Sequence, residues 1–382
     1  MHYHFKPQHW QTYVLNLSDK HTSWIFNPTT FISSKLFFKL LSKLFRKVPL
    51  VLILLLLSSL WNVQANGKKV RTGNRSDAIL LPSAVIHYAR PNLFLGNDEY
   101  AGPADIWNPK KGFLVQSINP ESYNLNFPTT GAHNLYFDLL ITGIDVRDLT
   151  WKPVTHEGIT ATVTNVVANN DYWIPWEDFA KVVARVKLTG PEARNQWDNP
   201  NPSRIAVPKL PQTFELVGRD RYGIEVVKYG FVLRQWFVVR DNPNGYVNGR
   251  RHSDQLAWCN NIGYRMPRIR DLTNAVSTGV RFPVGASPSS SDNNYMRYIG
   301  AGFFSEWGCM YGYTGANFVD NRYWTSDTDD NYWMSDTDDD YWTEAAKVKD
   351  SHPFNVGSHF GNFYGYFPFY STYVVCSLDL RP

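Results

Sequence analysis

The chain has 382 residues, enough for two or three domains, and 15% of it is aromatic against 19% charged. Its net charge of +4 is an N-terminal feature: seven of 38 basic residues and one of 34 acidic residues precede residue 66, leaving 31 basic and 33 acidic residues beyond it. With no basic field left, nucleic acid is excluded as a partner, and the aromatic excess points to surfaces that recognise proteins or sugars.

Residues 48–57 are uninterrupted apolar sequence, with Lys43, Arg46 and Lys47 before them and Val63-Gln64-Ala65 after them. A basic flank, an apolar core and small residues three and one positions before a cut predict a secretory signal cleaved between Ala65 and Asn66. The alternative is an uncleaved membrane segment over 48–63. That stretch is 16 residues and includes Ser58 and Ser59, short of the ~20 apolar residues a span needs. Residues 1–65 therefore read as an extended signal peptide, longer than the usual ~15–30 residues. Lys35, Lys39, Lys43 and Lys47 share one helical face, suited to an anionic inner leaflet. Membrane contact is expected through this N-terminal segment only.

Residues 66–77 are polar and read as a linker. From 78 to 240 the signals are β: strand candidates fall at 135–141, 159–164, 182–188, 213–217 and 224–229, with a hairpin-like connection at 218–223. Several short strands with regular turns predict an immunoglobulin-like β-sandwich, with Trp151 as a core aromatic. A final run at 232–239 leads to the turn Asp241-Asn-Pro-Asn-Gly245, which marks a boundary.

Residues 241–382 differ in character. Ser253 can cap a helix through Asn260, which Gly263 ends, and Pro267 can open a second helix over 268–276 with Ile269, Leu272 and Val276 on one stripe. The rest is rich in loops, glycine and aromatics. In an exported chain the three cysteines are expected to pair once. The expected bond is Cys259–Cys376, tying the first helix to the last strand and leaving Cys309 as a buried thiol; Cys259–Cys309 is the competing pair. A cysteine on a short helix, a turn with proline, a second helix and a closing cysteine on the last strand make the layout of a C-type-lectin-like domain. The expected fold class is mainly β with a small α+β module.

Tyr323-Trp-Thr-Ser-Asp-Thr-Asp-Asp-Asn331 is followed directly by Tyr332-Trp-Met-Ser-Asp-Thr-Asp-Asp-Asp340 and then Tyr341-Trp342. Asp327, Asp329, Asp336 and Asp338 supply hard oxygen atoms of the kind calcium takes. The glycine turn and terminal glutamate of a helix–loop–helix calcium site are missing, so a solvated acidic hairpin is the competing reading and no cofactor is required. Trp324, Trp333 and Trp342 of the repeat, with Phe363, Tyr364 and Tyr366 of the aromatic run 360–370, are the candidate ligand contacts; core packing is the alternative for each.

These stretches resemble the adhesion domain of enterobacterial invasin/intimin-type surface proteins. The matching residues are Leu149-Thr-Trp151 with Val154-Thr-His-Glu-Gly-Ile-Thr-Ala-Thr162, Lys228-Tyr-Gly-Phe-Val-Leu-Arg-Gln-Trp-Phe237, Trp258-Cys-Asn-Asn-Ile-Gly-Tyr264, Arg268-Ile-Arg-Asp-Leu-Thr-Asn-Ala275, Gly302-Phe-Phe304 with Glu306-Trp307, Tyr313-Thr-Gly-Ala-Asn317 and Tyr323-Trp-Thr-Ser-Asp327. The resemblance implies an immunoglobulin-like part followed by a lectin-like tip on an exported protein, at the bacterial surface or outer membrane or secreted, attaching to a host cell-surface protein or glycan. Anchoring in the inner membrane as a structural envelope protein without adhesive role is the alternative. The Glu-Pro-Asn, Gln-Pro-Asp and Trp-Asn-Asp tripeptides of calcium-dependent sugar binders do not occur, and no alternating ten-residue segments read as a barrel. No His-Glu-x-x-His, Gly-x-Ser-x-Gly or phosphate-loop motif is present, so the chain is not expected to be an enzyme.

Overall fold

The computed structural model describes residues 83–168, 174–241, 250–277, 285–329 and 352–378, all within one compact unit, Leu80–Pro382. The expected signal, cleavage site and linker lie outside them. Among the described residues no helix is long and apolar enough to cross a membrane.

The first twelve strands are β1 (Val85–Arg90), β2 (Trp107–Asn108), β3 (Gly112–Leu114), β4 (Thr130–Ala132), β5 (Tyr136–Thr142), β6 (Thr150–Trp151), β7 (Val154–His156), β8 (Ile159–Val167), β9 (Val182–Thr189), β10 (Gln212–Arg219), β11 (Glu225–Leu233) and β12 (Gln235–Arg240). Three short helices follow: α1 (His252–Ile262), α2 (Ile269–Leu272) and α3 (Phe303–Trp307). The chain ends with β13 (Arg322–Asp329), β14 (His352–Gly357), β15 (Phe363–Gly365) and β16 (Val374–Ser377). This is the mainly β fold with a small α+β part expected from the sequence.

A seven-stranded antiparallel sheet, β2-β3-β1-β5-β9-β8-β7, faces a three-stranded sheet, β11-β10-β6. Alternation builds the interface: Phe137 on β5 meets Phe231 and Tyr229 on β11, with ring centroids 6.1 and 6.0 Å apart, and Phe214 on β10 stacks on Phe231 at 5.3 Å. This is the immunoglobulin-like sandwich, with strand positions close to those expected. Trp151 is half-buried at its edge, over Gly218, where a Cβ would come within 2.8 Å of its ring.

The lectin-like part begins without a break in packing. β12 pairs antiparallel with β16 and parallel with β4, so one small sheet joins an early, a middle and the last strand. The helix expected at 253–260 forms as α1, which buries Gln255, Trp258, Cys259 and Ile262 at helical spacing. Arg251, rather than Ser253, takes its N-cap position, and Gly263 ends it at φ 89°, a conformation that favours glycine. The second helix is shorter than the expected 268–276. α2 stops at Leu272 because side chains capture the next backbone groups. Thr273 Oγ1 accepts from Ala275 N, Ser305 Oγ accepts from Asn274 N, and the Asn274 amide donates to Pro288 O and Met296 O.

Cys259 on α1 bonds to Cys376 on β16, 117 positions further along the chain, with Cα atoms 5.4 Å apart. Cys309 is buried and free. The competing Cys259–Cys309 pair is excluded. Closing a loop of this length contributes about 4–5 kcal/mol by the chain-entropy model. Cys259→Ser with Cys376→Ser is expected to lower the unfolding free energy by a comparable amount, read by urea denaturation against the oxidised chain; a loss under about 1 kcal/mol would remove the bond from the structural account.

Candidate functional site

Strands β13, β14 and β15 form a sheet with β15 on its edge. Across β15 the pleat turns Phe363 inward and Tyr364 outward. Asn293 closes the edge at one point: its Oδ1 accepts from Phe363 N at 3.0 Å and its Nδ2 donates to Phe363 O at 2.9 Å. An asparagine side chain thus stands where another strand would pair, which blunts the edge.

The chain beyond β15 lays a row of rings on the surface. Tyr366 lies 5.9 Å from Trp324 and 4.8 Å from Tyr370; Phe369 lies 5.2 Å from Phe367 and 4.9 Å from Tyr370. Phe367 in turn meets His352, the first residue of β14, at 5.1 Å. Phe369 is 49% and Tyr364 42% exposed. The Arg322 guanidinium lies 4.6 Å above the Tyr364 ring while donating to Asn355 Oδ1, and burial pushes its pKa down. Backbone bonds hold the row: Tyr366 N donates to Pro353 O, Tyr370 N to Phe367 O, and His252 N at the start of α1 to Pro368 O.

A second exposed group lies around His359. It stacks on Phe360 at 4.2 Å, meets Tyr311 and Phe94 at 5.5 and 5.6 Å, and its Nδ1 pairs with Asp320 at 3.1 Å. Phe360 and Tyr311 are 39% and 40% exposed. Elsewhere, Trp176 is 85% exposed and lies parallel to Phe179. The sequence reading did not single out Phe94, Tyr311 or Trp176. Only the Pro175-Trp176 pair carried a local signal, a bulky ring directly after a turn-forming proline.

The expected contact residues divide. Tyr364 and Tyr366 lie on the aromatic face. Trp324 and Phe363 are both fully buried, which corrects their reading as ligand contacts. Trp324 donates from Nε1 to Arg250 O at 3.0 Å and meets His252 edge-on, and Phe363 packs on Phe354. Trp333 and Trp342 lie outside the described residues. So do Asp336 and Asp338 of the calcium reading, together with the side chain of Asp329. Asp327 has a structural partner: its Oδ2 accepts from Ile269 N, the first amide of α2, at 2.6 Å. Burial pushes its carboxyl pKa up, against that hydrogen bond. Among the described residues no three His, Cys, Asp or Glu side chains converge as metal ligands. Burial also pushes the Cys309 thiol up to about 12, far from the range of a reactive thiolate.

No family model matches the chain, and no curated protein matches it. It is similar to solved structures of invasin and intimin. One is invasin, described as a bacterial integrin-binding protein, at 13% identity over 78% of this chain and 40% of that one, with a TM-score of 0.38. Another is a C-terminal 282-residue fragment of intimin in complex with the intimin-binding domain of the translocated intimin receptor, at 11% identity over 77% of this chain and 66% of that one, with a TM-score of 0.37. A mutant intimin from EHEC O157:H7 follows at 10% identity over 71% of this chain and 92% of that one, with a TM-score of 0.31. The chain spans less than half of the invasin chain. At TM-scores below 0.5 these likenesses decide neither activity nor partner.

Burial separates core rings from surface rings, and substitution tests the separation. Phe363→Ala is expected to cost about 3–5 kcal/mol of stability and Phe369→Ser less than about 0.5 kcal/mol, both read by urea unfolding; equal costs would contradict the assignment.

Proposed function

We propose that this chain is an exported bacterial surface adhesin that attaches to a host cell-surface protein or glycan through the aromatic face of its C-terminal part. The observation that carries the reading is the row Tyr364, Tyr366, Phe367, Phe369 and Tyr370. Tyr364 and Phe369 are exposed and the other three half-buried; apolar rings left in water cost hydration free energy, and soluble surfaces rarely keep a patch of them without an interaction to make. Tyrosine and phenylalanine also give large contact area with few torsions to freeze. Here the freezing is already done: Tyr366 is hydrogen-bonded to the sheet, and the loop is bonded to α1, so little ordering entropy remains to be lost on binding. The extended signal read from residues 1–65 supplies the route of export. A chain held in the inner membrane without adhesive role would have no use for the ring surface.

Residues 66–382 are expected to bind cultured host cells above an unrelated lectin-fold control. Phe369→Ser and Tyr364→Ser are each expected to weaken binding about tenfold, with melting temperature unchanged. Pretreating the cells with protease or with glycosidases assigns the receptor to protein or glycan. Wild-type binding no greater than the control, or full binding by both variants, would sink the proposal.

A further inference from the structure

The register of the sheet β13-β14-β15 brings a charge among the surface rings. Trp324 stands opposite Asn355, Asn355 opposite Tyr364, and Arg322 opposite Gly357. Strand alternation turns Arg322, Trp324, Asn355 and Tyr364 to the same side of the sheet. Gly357 has no side chain to stand in the way, and the Arg322 guanidinium reaches across β14 to lie 4.6 Å above the Tyr364 ring. One of its N–H groups donates to Asn355 Oδ1 at 3.1 Å. Ring and amide together hold the planar fork in one orientation. What it lacks is an acid. The other half-buried arginines among the described residues, Arg185, Arg219, Arg250 and Arg265, each pair with a carboxylate of the chain. The neighbours whose charge bears on Arg322 are Tyr364 and Tyr366, both neutral at pH 7.

We propose that Arg322 receives a carboxylate from the partner: an Asp or Glu side chain of a host protein, flanked by apolar residues that pack on the rings. This rests on the adhesive reading and adds to it the chemistry of what is bound. A guanidinium fork matches a carboxylate with parallel N–H···O bonds, which point charges and neutral donors do not reproduce. Half-burial strengthens the pair, because the ring surface around it keeps water and salt away once the partner is seated. The rings also favour protein over an acid sugar as the source. Phe367 and Phe369 offer no hydrogen-bonding atom to sugar hydroxyls, and Asn355 is fully buried and spent on holding Arg322. Aromatic rings around one arginine make the composition of a protein-binding centre. Tyr364 and Tyr366 then supply contact area, and Arg322 selects which partner residue stands between them.

Binding of residues 66–382 to cultured host cells tests the pair from both sides. Arg322→Met keeps the stem over Tyr364 and removes the charge; Arg322→Lys keeps the charge and loses the fork. The cells are used untreated, after carbodiimide coupling of ethanolamine to their surface carboxyl groups, or after sialidase. Arg322→Met is expected to weaken binding about tenfold or more, and Arg322→Lys by less. Carboxyl blocking is expected to weaken the parent by a similar factor and to leave Arg322→Met unchanged, because each removes one half of the same pair. Sialidase is expected to change nothing. Parent binding that survives Arg322→Met or carboxyl blocking overturns the inference and leaves the adhesive reading standing, as does blocking that weakens Arg322→Met as much as the parent. Sialidase that weakens the parent as blocking does makes the partner an acid sugar and overturns the protein source. Parent binding no greater than that of an unrelated lectin-fold control overturns both readings. If Arg322→Met does not fold, the blocking arm on the parent and Arg322→Lys decides by the same comparison.

Discussion

The carboxylate of Glu306 is the contact on which the rest of the molecule depends. It is fully buried on α3, where an unpaired charge would cost several kcal/mol. Donors from two distant parts of the chain meet it. Thr129 gives its backbone N and its hydroxyl, Thr130 gives the same pair, and Gly300 gives its backbone N, all between 2.5 and 3.1 Å. Burial pushes the Glu306 pKa up, and the hydrogen bonds from Thr130, Gly300 and Thr129 pull against it. The next residue adds a second tie, with Trp307 Nε1 donating to Thr130 O and Oγ1 at 3.1 Å. Separating the late chain from Thr129 and Thr130 would leave the buried carboxylate with Gly300 N alone and four donors, as well as Trp307 Nε1, without their partners.

From that tie the support of the aromatic face can be followed outward. Thr129 O accepts from Arg234 N as the chain enters β12, and β12 sits between β4 and β16. β16 carries Cys376, whose bond to Cys259 pins α1, and the first turn of α1 holds the loop of surface rings through Pro368 O. Trp324 and Phe363 fill the layer beneath. The exposed rings thus stand on a continuous packed base, the condition under which apolar surface stays presented rather than collapsing inward.

Periodicity and cysteine chemistry made much of this readable from sequence. The alternation in β8 to β11 located the sandwich, and the helix read between Ser253 and Gly263 located α1 and, through Cys259 and Cys376, the disulfide, but not the face that α1 buries. Leu256 and Ala257, which read as facing inward with Cys259, are exposed, and Trp258 and Ile262 are buried in their place. The length of α2 was not readable, because what ends it is Asn274 bonding to Pro288 and Met296, and only the fold brings these together. Trp324 and Phe369 show the same limit at the site. Both are bulky rings in aromatic runs, and which one faces water depends on the sheet partner, not on local pattern. Glu306 was the least visible of all. Its partners Thr129 and Thr130 lie 177 and 176 residues away, at the start of a three-residue strand with no pattern of its own. The turn at Asp241 reads as a boundary in composition, yet the sheet β16-β12-β4 carries packing across it.

Calorimetry of residues 66–382 with and without Glu306→Gln tests this account most directly. The amide would set an N–H group against fixed N–H donors, so the account predicts one cooperative transition in the parent chain and, in the variant, a single transition shifted as a whole to lower temperature. Two separate transitions in the parent, or a variant that melts with it, would show that the sandwich and the ring-bearing part do not hold together through this carboxylate.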